Sequence, residues 1–261
     1  MGVEPSGRAQ EAMTGTLDLA RRFVSHHYPD VEAALLAGSR MRGDAASGSD
    51  YDVVLLFRAL PEGAWRAMSI FEGRHIELFA HDLATLAYFC REVDRPSGMA
   101  ALPAMIAEGV ALVTRSATTL AAAKQLARET LRLWPPELDQ AAIRARRYAV
   151  TDLASALDGS RDTHVRIAAG AALYTALADF ALRAANGWSA AGKTLPRALK
   201  AMDADLALRF EAAFTSLFAT GNVAPLQALV DFVLAPYGGR LREGFHQRAP
   251  AEWRITSVPV R

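Results

Sequence analysis

Between residues 31 and 115, short apolar runs alternate with helical stretches. Ala33-Ala34-Leu35-Leu36-Ala37 stops at Gly38-Ser39, and Tyr51-Asp52-Val53-Val54-Leu55-Leu56-Phe57 stops before Leu60-Pro61-Glu62-Gly63. His75-Ile76-Glu77-Leu78-Phe79-Ala80 follows Glu72-Gly73-Arg74, and Val110-Ala111-Leu112-Val113 follows Glu108-Gly109. Runs this short, fenced by turn-formers and mostly rich in branched or aromatic residues, predict strands. The alanines of the first suit a helix equally well. Leu17, Ala20, Arg21, Val24 and Tyr28 recur at or near helical spacing and predict a helix ahead of the strands. After Ser116 the strand signals cease. Helices are expected over residues 117–133, before Trp134-Pro135-Pro136, and over about 137–157, before Asp158-Gly159-Ser160. Val165, Ala168, Ala172, Leu173, Ala176, Leu177 and Phe180 mark the buried face of another, stopped by Asn186-Gly187. Two more are expected near 206–218 and 223–234. The predicted fold class is α/β followed by all-α: a mixed-sheet domain over residues 1–115 and a helical bundle over 116–261.

Composition narrows the function. Of 261 residues, 51% are hydrophobic and 22% charged, the balance of a folded domain rather than a disordered chain. Twenty-nine Lys+Arg against 28 Asp+Glu leave a net charge of +1, which argues against a broad basic face and stable nucleic-acid binding. No run approaches 18 uninterrupted apolar residues, and residues 1–10 are polar, so neither a membrane span nor a secretory leader is expected. The one cysteine, Cys90, excludes an internal disulfide and a multi-cysteine zinc site, and the cytoplasm is the expected compartment.

The segment richest in chemistry is residues 38–52. Asp50 and Asp52 stand two apart at the start of an apolar strand, a spacing that points both side chains to one face. Two adjacent carboxylates repel unless a cation lies between them, and a hard, oxygen-seeking ion such as Mg²⁺ meets that need. Glu77, set among Ile76, Leu78 and Phe79, is a charge inside a strand. Three carboxylates on neighbouring strands can hold two Mg²⁺ ions for phosphoryl transfer. Glu72 and Asp82, just outside that strand, are the alternatives for the third acid. Gly38 lets backbone approach a ligand closely, and a short helix after Ser39 would turn free N–H groups toward a terminal phosphate. Arg40 and Arg42 either add charge-assisted contacts there or are simply solvated.

The order of strand, Gly38-Ser39, Asp50-x-Asp52, apolar strand and later Glu77 resembles the nucleotidyltransferase superfamily that includes DNA polymerase beta, and more closely its antibiotic-modifying members. The resemblance covers roughly residues 20–115. It implies a small mixed sheet flanked by helices, with Mg²⁺ on Asp50, Asp52 and Glu77. It also implies transfer of a nucleoside monophosphate, AMP being the one expected, from ATP or another nucleoside triphosphate to a hydroxyl of a small acceptor. Gly38 and Ser39 would bind the β- and γ-phosphates, and an aminoglycoside- or lincosamide-type antibiotic is the acceptor class it favours. The reading from another class is a nucleotidyltransferase-fold partner of a toxin or regulatory protein. Such partners are usually single short domains, and the helical half of this chain argues against it.

Gly187-Trp188-Ser189-Ala190-Ala191-Gly192-Lys193-Thr194 satisfies the P-loop string, but helical periodicity precedes it where a P-loop requires a strand. In the resemblance, Gly192-Lys193 is similar to a Gly-Lys stretch between helices whose lysine faces the triphosphate; the alternative is an exposed lysine at a helix start. The six histidines lack metal-ligand spacing. His26 and His27 are expected near the first helix end, His75 and His81 beside the Glu77 strand, and Cys90 in a buried apolar stretch. Trp188 and Tyr148 read as packing residues, and Asp152 as either a cleft acid or a solvated one.

Overall fold

The computed structural model describes residues 7–43, 48–159 and 162–254; the polar start at 1–6 and the part of the chemistry-rich segment at 44–47 lie outside them. By their contacts the residues form two compact units, Met1–Pro136 and Glu137–Arg261.

The first unit opens with α1 (Gly7–His27), then β1 (Ala33–Ala37), the single turn α2 (Ser39–Arg42), β2 (Tyr51–Leu56), β3 (Trp65–Phe71) and β4 (Arg74–His81). Next come α3 (Leu83–Tyr88), a π-helical turn (Phe89–Asp94), α4 (Arg95–Ser97), α5 (Ala101–Glu108), β5 (Val110–Thr114) and α6 (Ala117–Arg132). Among the described residues the strands make one mixed sheet in the order β3-β4-β2-β1-β5. The β2–β4 pair is parallel and the rest are antiparallel. The run at 33–37, ambiguous in sequence, is the buried strand β1, flanked on both sides by others.

Alternation along the strands sorts the core into two layers. Ala34, Leu36, Val53, Leu55, Ile76 and Leu78 face α1 through its Ala20, Phe23 and Val24. Ala33, Leu35, Val54 and Leu56 point the other way, onto Leu86, Cys90, Leu102, Ile106, Ala123 and Ala127. Each aliphatic side chain fully buried this way stabilises the fold by about 1.5–3 kcal/mol.

This second layer corrects the expected boundary at residue 115. The helix at 117–132 belongs to the first unit, because its Ala123 and Ala127 pack into the sheet core and its Thr119 hydroxyl donates to Glu32. The division falls at Pro136. Strand β3 is an element the run pattern did not mark: it is an edge strand, largely exposed along its length, and so carries no burial signature.

The second unit is helical: α7 (Gln140–Ser155), α8 (Thr163–Ala184), α9 (Leu195–Met202), α10 (Ala204–Thr220) and α11 (Ala224–Leu234). Leu173, Leu177 and Phe180 of α8 sit in its core with Leu199, Phe210 and Leu226. The N-terminal part of the expected stripe does not: Val165 is 41% exposed, and Ala168 and Ala172 are exposed as well. The buried face of α8 begins instead at Gly170, where α10 approaches so closely that a Cβ would lie 2.7 Å from Leu217 Cδ2. With 22 residues and a mean hydropathy of 1.4 over its most apolar window, α8 is by length and composition alone long and apolar enough to cross a membrane, but it is interrupted by polar residues and its Leu173, Leu177 and Phe180 fill the core of the helical unit. It carries Asp179 and Arg183, whose polar contacts build the loop that follows.

Candidate functional site

Gly38 ends β1 with φ 75° and ψ −159°, a backbone region essentially confined to glycine. The conformation is matched by a close approach. A Cβ at this position would fall 1.7 Å from Asp52 Oδ2 and 2.7 Å from its Cγ. Asp52 is the register partner of Ala37 on one side and of Glu77 on the other. Register partners share a sheet face, so Asp52 and Glu77 lie side by side beyond Val54 and Leu56 of the α3–α6 layer. Asp50 precedes β2, half-buried, two residues upstream.

The expected phosphate-binding residues sit around this point. Ser39, buried, begins α2. The Arg40 guanidinium donates to the Ser49 carbonyl and lies 4.0 Å from the Tyr51 ring centroid, so it fastens the end of the loop that delivers Asp50. Arg42 reaches Glu108 of α5 at 3.5 Å. Neither arginine is simply solvated; both tie the turn after Gly38 to its surroundings.

The alternatives for the third acid are accounted for. Glu72, in the β3–β4 turn, takes Arg22 in a two-point pair at 2.7 and 3.2 Å. Asp82 caps α3, accepting from Thr85 N and Leu60 N at 2.8 Å each. Burial would raise its carboxyl, but those bonds outweigh it and hold the group below its usual range. Glu77 is the acid beside Asp52, and it is not alone. Its Oε1 accepts from Arg66 of β3 through both Nε and Nη2.

This pairing bears on the metal. Carboxylate oxygens are the donors that Mg²⁺ takes, and Asp50 and Asp52, two residues apart at the start of β2, are of that chemistry. The three-acid, two-ion centre does not fit as the side chains stand. Among the described residues no three His, Cys, Asp or Glu side chains gather as ligands, and an oxygen of Glu77 is given to Arg66.

In the second unit, Lys193 lies in the turn Gly192–Thr194 between α8 and α9, exposed and with no partner among the described residues. Helix α8 precedes it where a P-loop has a strand, and Thr194 Oγ1 donates to the Ala191 carbonyl at 2.8 Å, the role of a local cap. The loop is held by Ser189 and Arg146 on Asp179 and by Arg183 on the Gly187 carbonyl. Tyr148 stacks on Phe245 at 4.0 Å, a packing contact, whereas Asp152 is exposed on α7 and Trp188 is half-buried.

His26 and His27 end α1, His75 is exposed on β4, and Cys90 is buried. His81 ends β4 buried, with its Nδ1 unpartnered, and burial lowers its pKa to about 4 against a small opposing effect of Asp82. Asp94, bonded by Leu102 N at 3.2 Å, moves oppositely: burial lifts it to about 6, with that bond pulling back. The two have opposite linkage. His81 takes up its proton more readily when unfolded, so its contribution to stability is lost as pH falls from about 6.5 to about 4. Asp94 holds its proton in the fold, so its contribution is lost as pH rises from about 4 to about 6. Relative to the parent, Asp94→Asn is therefore expected to gain stability with rising pH across this window, and His81→Gln to lose it. Urea midpoints measured at pH 4, 5 and 6.5 check both.

No protein-family model matches the chain, and no curated protein sequence matches it. Among solved structures, a nucleotidyltransferase-like protein from Exiguobacterium sibiricum is similar to it. That likeness has a TM-score of 0.38 at 12% identity, over 85% of this chain and 75% of that one. At that score the likeness carries no weight, and the functional reading rests on the geometry of Gly38, Asp52 and Glu77.

Proposed function

We propose that this chain is a nucleotidyltransferase that moves a nucleoside monophosphate, AMP by expectation, from a nucleoside triphosphate to a hydroxyl of a small acceptor. The supporting observation is the Gly38–Asp52–Glu77 arrangement: a glycine-only backbone at a strand end, an aspartate packed over it, and a second acid at the same register of the neighbouring strand. Asp50 and Asp52 would hold Mg²⁺, which neutralises charge on the triphosphate when bound. The first turn of α2, starting at Ser39, offers backbone N–H groups to the β- and γ-phosphates. The acceptor oxygen attacks the α-phosphorus, the bond to the bridging α,β-oxygen breaks, and pyrophosphate leaves with that electron pair. The acceptor proton passes to Glu77 at Oε2, the oxygen other than the one on which the Arg66 hydrogen bond falls. Most of the work in such a transfer is positioning and charge neutralisation. An antibiotic hydroxyl is the acceptor class the motif resemblance favours.

The test is pyrophosphate release by the purified protein with Mg-ATP, and with the other triphosphates, against a panel of hydroxylated small molecules that includes aminoglycosides and lincosamides. Release with one acceptor and a product heavier by one nucleotidyl group supports the reading. No release with any pair, and no triphosphate binding, overturns it.

By the motif resemblance alone, Lys193 is the candidate lysine for triphosphate affinity. Lys193→Ala is expected to weaken ATP affinity roughly 10- to 150-fold, the worth of one charge-assisted hydrogen bond of about 1.5–3 kcal/mol. Thr194→Ala should change it little, since its hydroxyl bonds within its own turn. Calorimetric titration of both variants reads this out. Unchanged affinity in Lys193→Ala leaves the residue as an exposed lysine.

A further inference from the structure

Arg66 and Glu77 sit on adjacent strands, but not opposite one another. Arg66 is in register with Phe79, and Met68 with Glu77, so the arginine reaches diagonally across the Phe79 ring, 5.2 Å from its centroid, to the carboxylate. Both contacts fall on Oε1, so the fork does not spread over the two oxygens as the strongest arginine–carboxylate pairs do. The burial is uneven. Glu77 is 14% exposed, whereas Arg66 is 68% exposed on an edge strand. An ion pair with one partner so open to water is weak and is easily exchanged. Yet it supplies the positive charge to the one acid in register with Asp52.

We propose that Arg66 is an exchangeable counter-cation for Glu77: it neutralises this carboxylate in the ion-free protein and yields it to a divalent cation that enters beside Asp52. The inference rests on the reading of Asp52 as a metal ligand. It gives the carboxylate in register with Asp52 a positive partner that an entering ion must displace. Arg66 thereby sets the ion concentration at which the site fills. It is a positioning residue, acting through Glu77.

Manganese(II) alone, without nucleotide, is the probe, with free ion counted by electron paramagnetic resonance on the full chain. Arg66→Gln, which keeps the side-chain length without its charge, is expected to tighten manganese binding roughly two- to fivefold. In a Glu77→Gln background the same change is expected to do nothing. No tightening, or equal tightening with and without Glu77, overturns the exchange, since the arginine would then be a spectator or a general repulsive charge. Asp52→Asn separates the two levels. If it abolishes the binding seen in the parent while Arg66→Gln has no effect, the metal site stands and the exchange fails. If it binds manganese as the parent does, both fail. Thermal unfolding of each variant confirms that the compared proteins are folded.

Discussion

Asp52→Asn is expected to reduce nucleotidyl transfer by at least about 10²–10³-fold while leaving the fold in place. The substitution keeps side-chain volume and removes the charge that would face the ion, and losing a single preorganised electrostatic contact already costs that much in rate. The side chain lies at the end of the sheet face, beyond the fully buried Val54 and Leu56, so the core beneath it is untouched. Pyrophosphate release under saturating ATP, beside a thermal unfolding curve, reads both halves of the expectation. Near-normal turnover would remove Asp52 from the chemistry.

Gly38→Ala is expected to be equally severe for a different reason. The new Cβ would enter the space held by the Asp52 carboxylate, and the backbone there, with φ 75°, is one that alanine adopts only at a cost of about 1–3 kcal/mol. The carboxylate must move or the strand end must reshape, and either change displaces the aspartate from its place beside Glu77. Transfer should fall by about 10²-fold or more, the scale of a misplaced catalytic group. Gly43→Ala is the control. Gly43 also has a positive φ, 77°, but a Cβ there meets no described atom within 4 Å. It therefore carries a left-handed backbone cost of about 1–2 kcal/mol without reaching Asp52. Comparable loss of transfer in both variants would mean that backbone strain, not the Asp52 contact, explains Gly38.

How far the sequence reveals this site follows from what burial writes into it. Strands β1, β2, β4 and β5 are legible because their residues fill two core layers and so form apolar runs, within which Asp52 and Glu77 stand out as charges needing a reason. That Glu77 rather than Glu72 or Asp82 faces Asp52 is a matter of parallel register, which no local pattern encodes. Strand β3 is not legible, because Arg66 and Ser69 interrupt its apolar residues and, as an edge strand, it stays largely exposed although Trp65, Ala67 and Phe71 share one face. Arg66 was hidden with it, and with Arg66 the occupation of Glu77. The helix at 117–132 shows a stripe for burial but not the surface it meets, which is why the boundary falls 21 residues later, at Pro136, than the end of the strand signals at 115. The string at 187–194 looks like a P-loop but is built by Asp179 and Arg183 of the preceding helix.

The parallel seam between β2 and β4 has a consequence for how the chain can change length over evolutionary time. The connection at 57–64 is anchored by Phe57 and Leu60, which pack on the α1 layer, and by Leu60 N on Asp82, so extra residues cost little more than the slowly growing entropy of closing a longer loop only around its exposed residues 61–62. An insertion of one residue within 74–77 is another matter. It would turn Glu77 toward Phe23 and Val24 of α1, deliver Ile76 to Asp52, and reverse the two core layers along β4. Length variation is therefore tolerated before β3 and forbidden at the start of β4, and the segment free to grow lies on the path to the edge strand that carries Arg66.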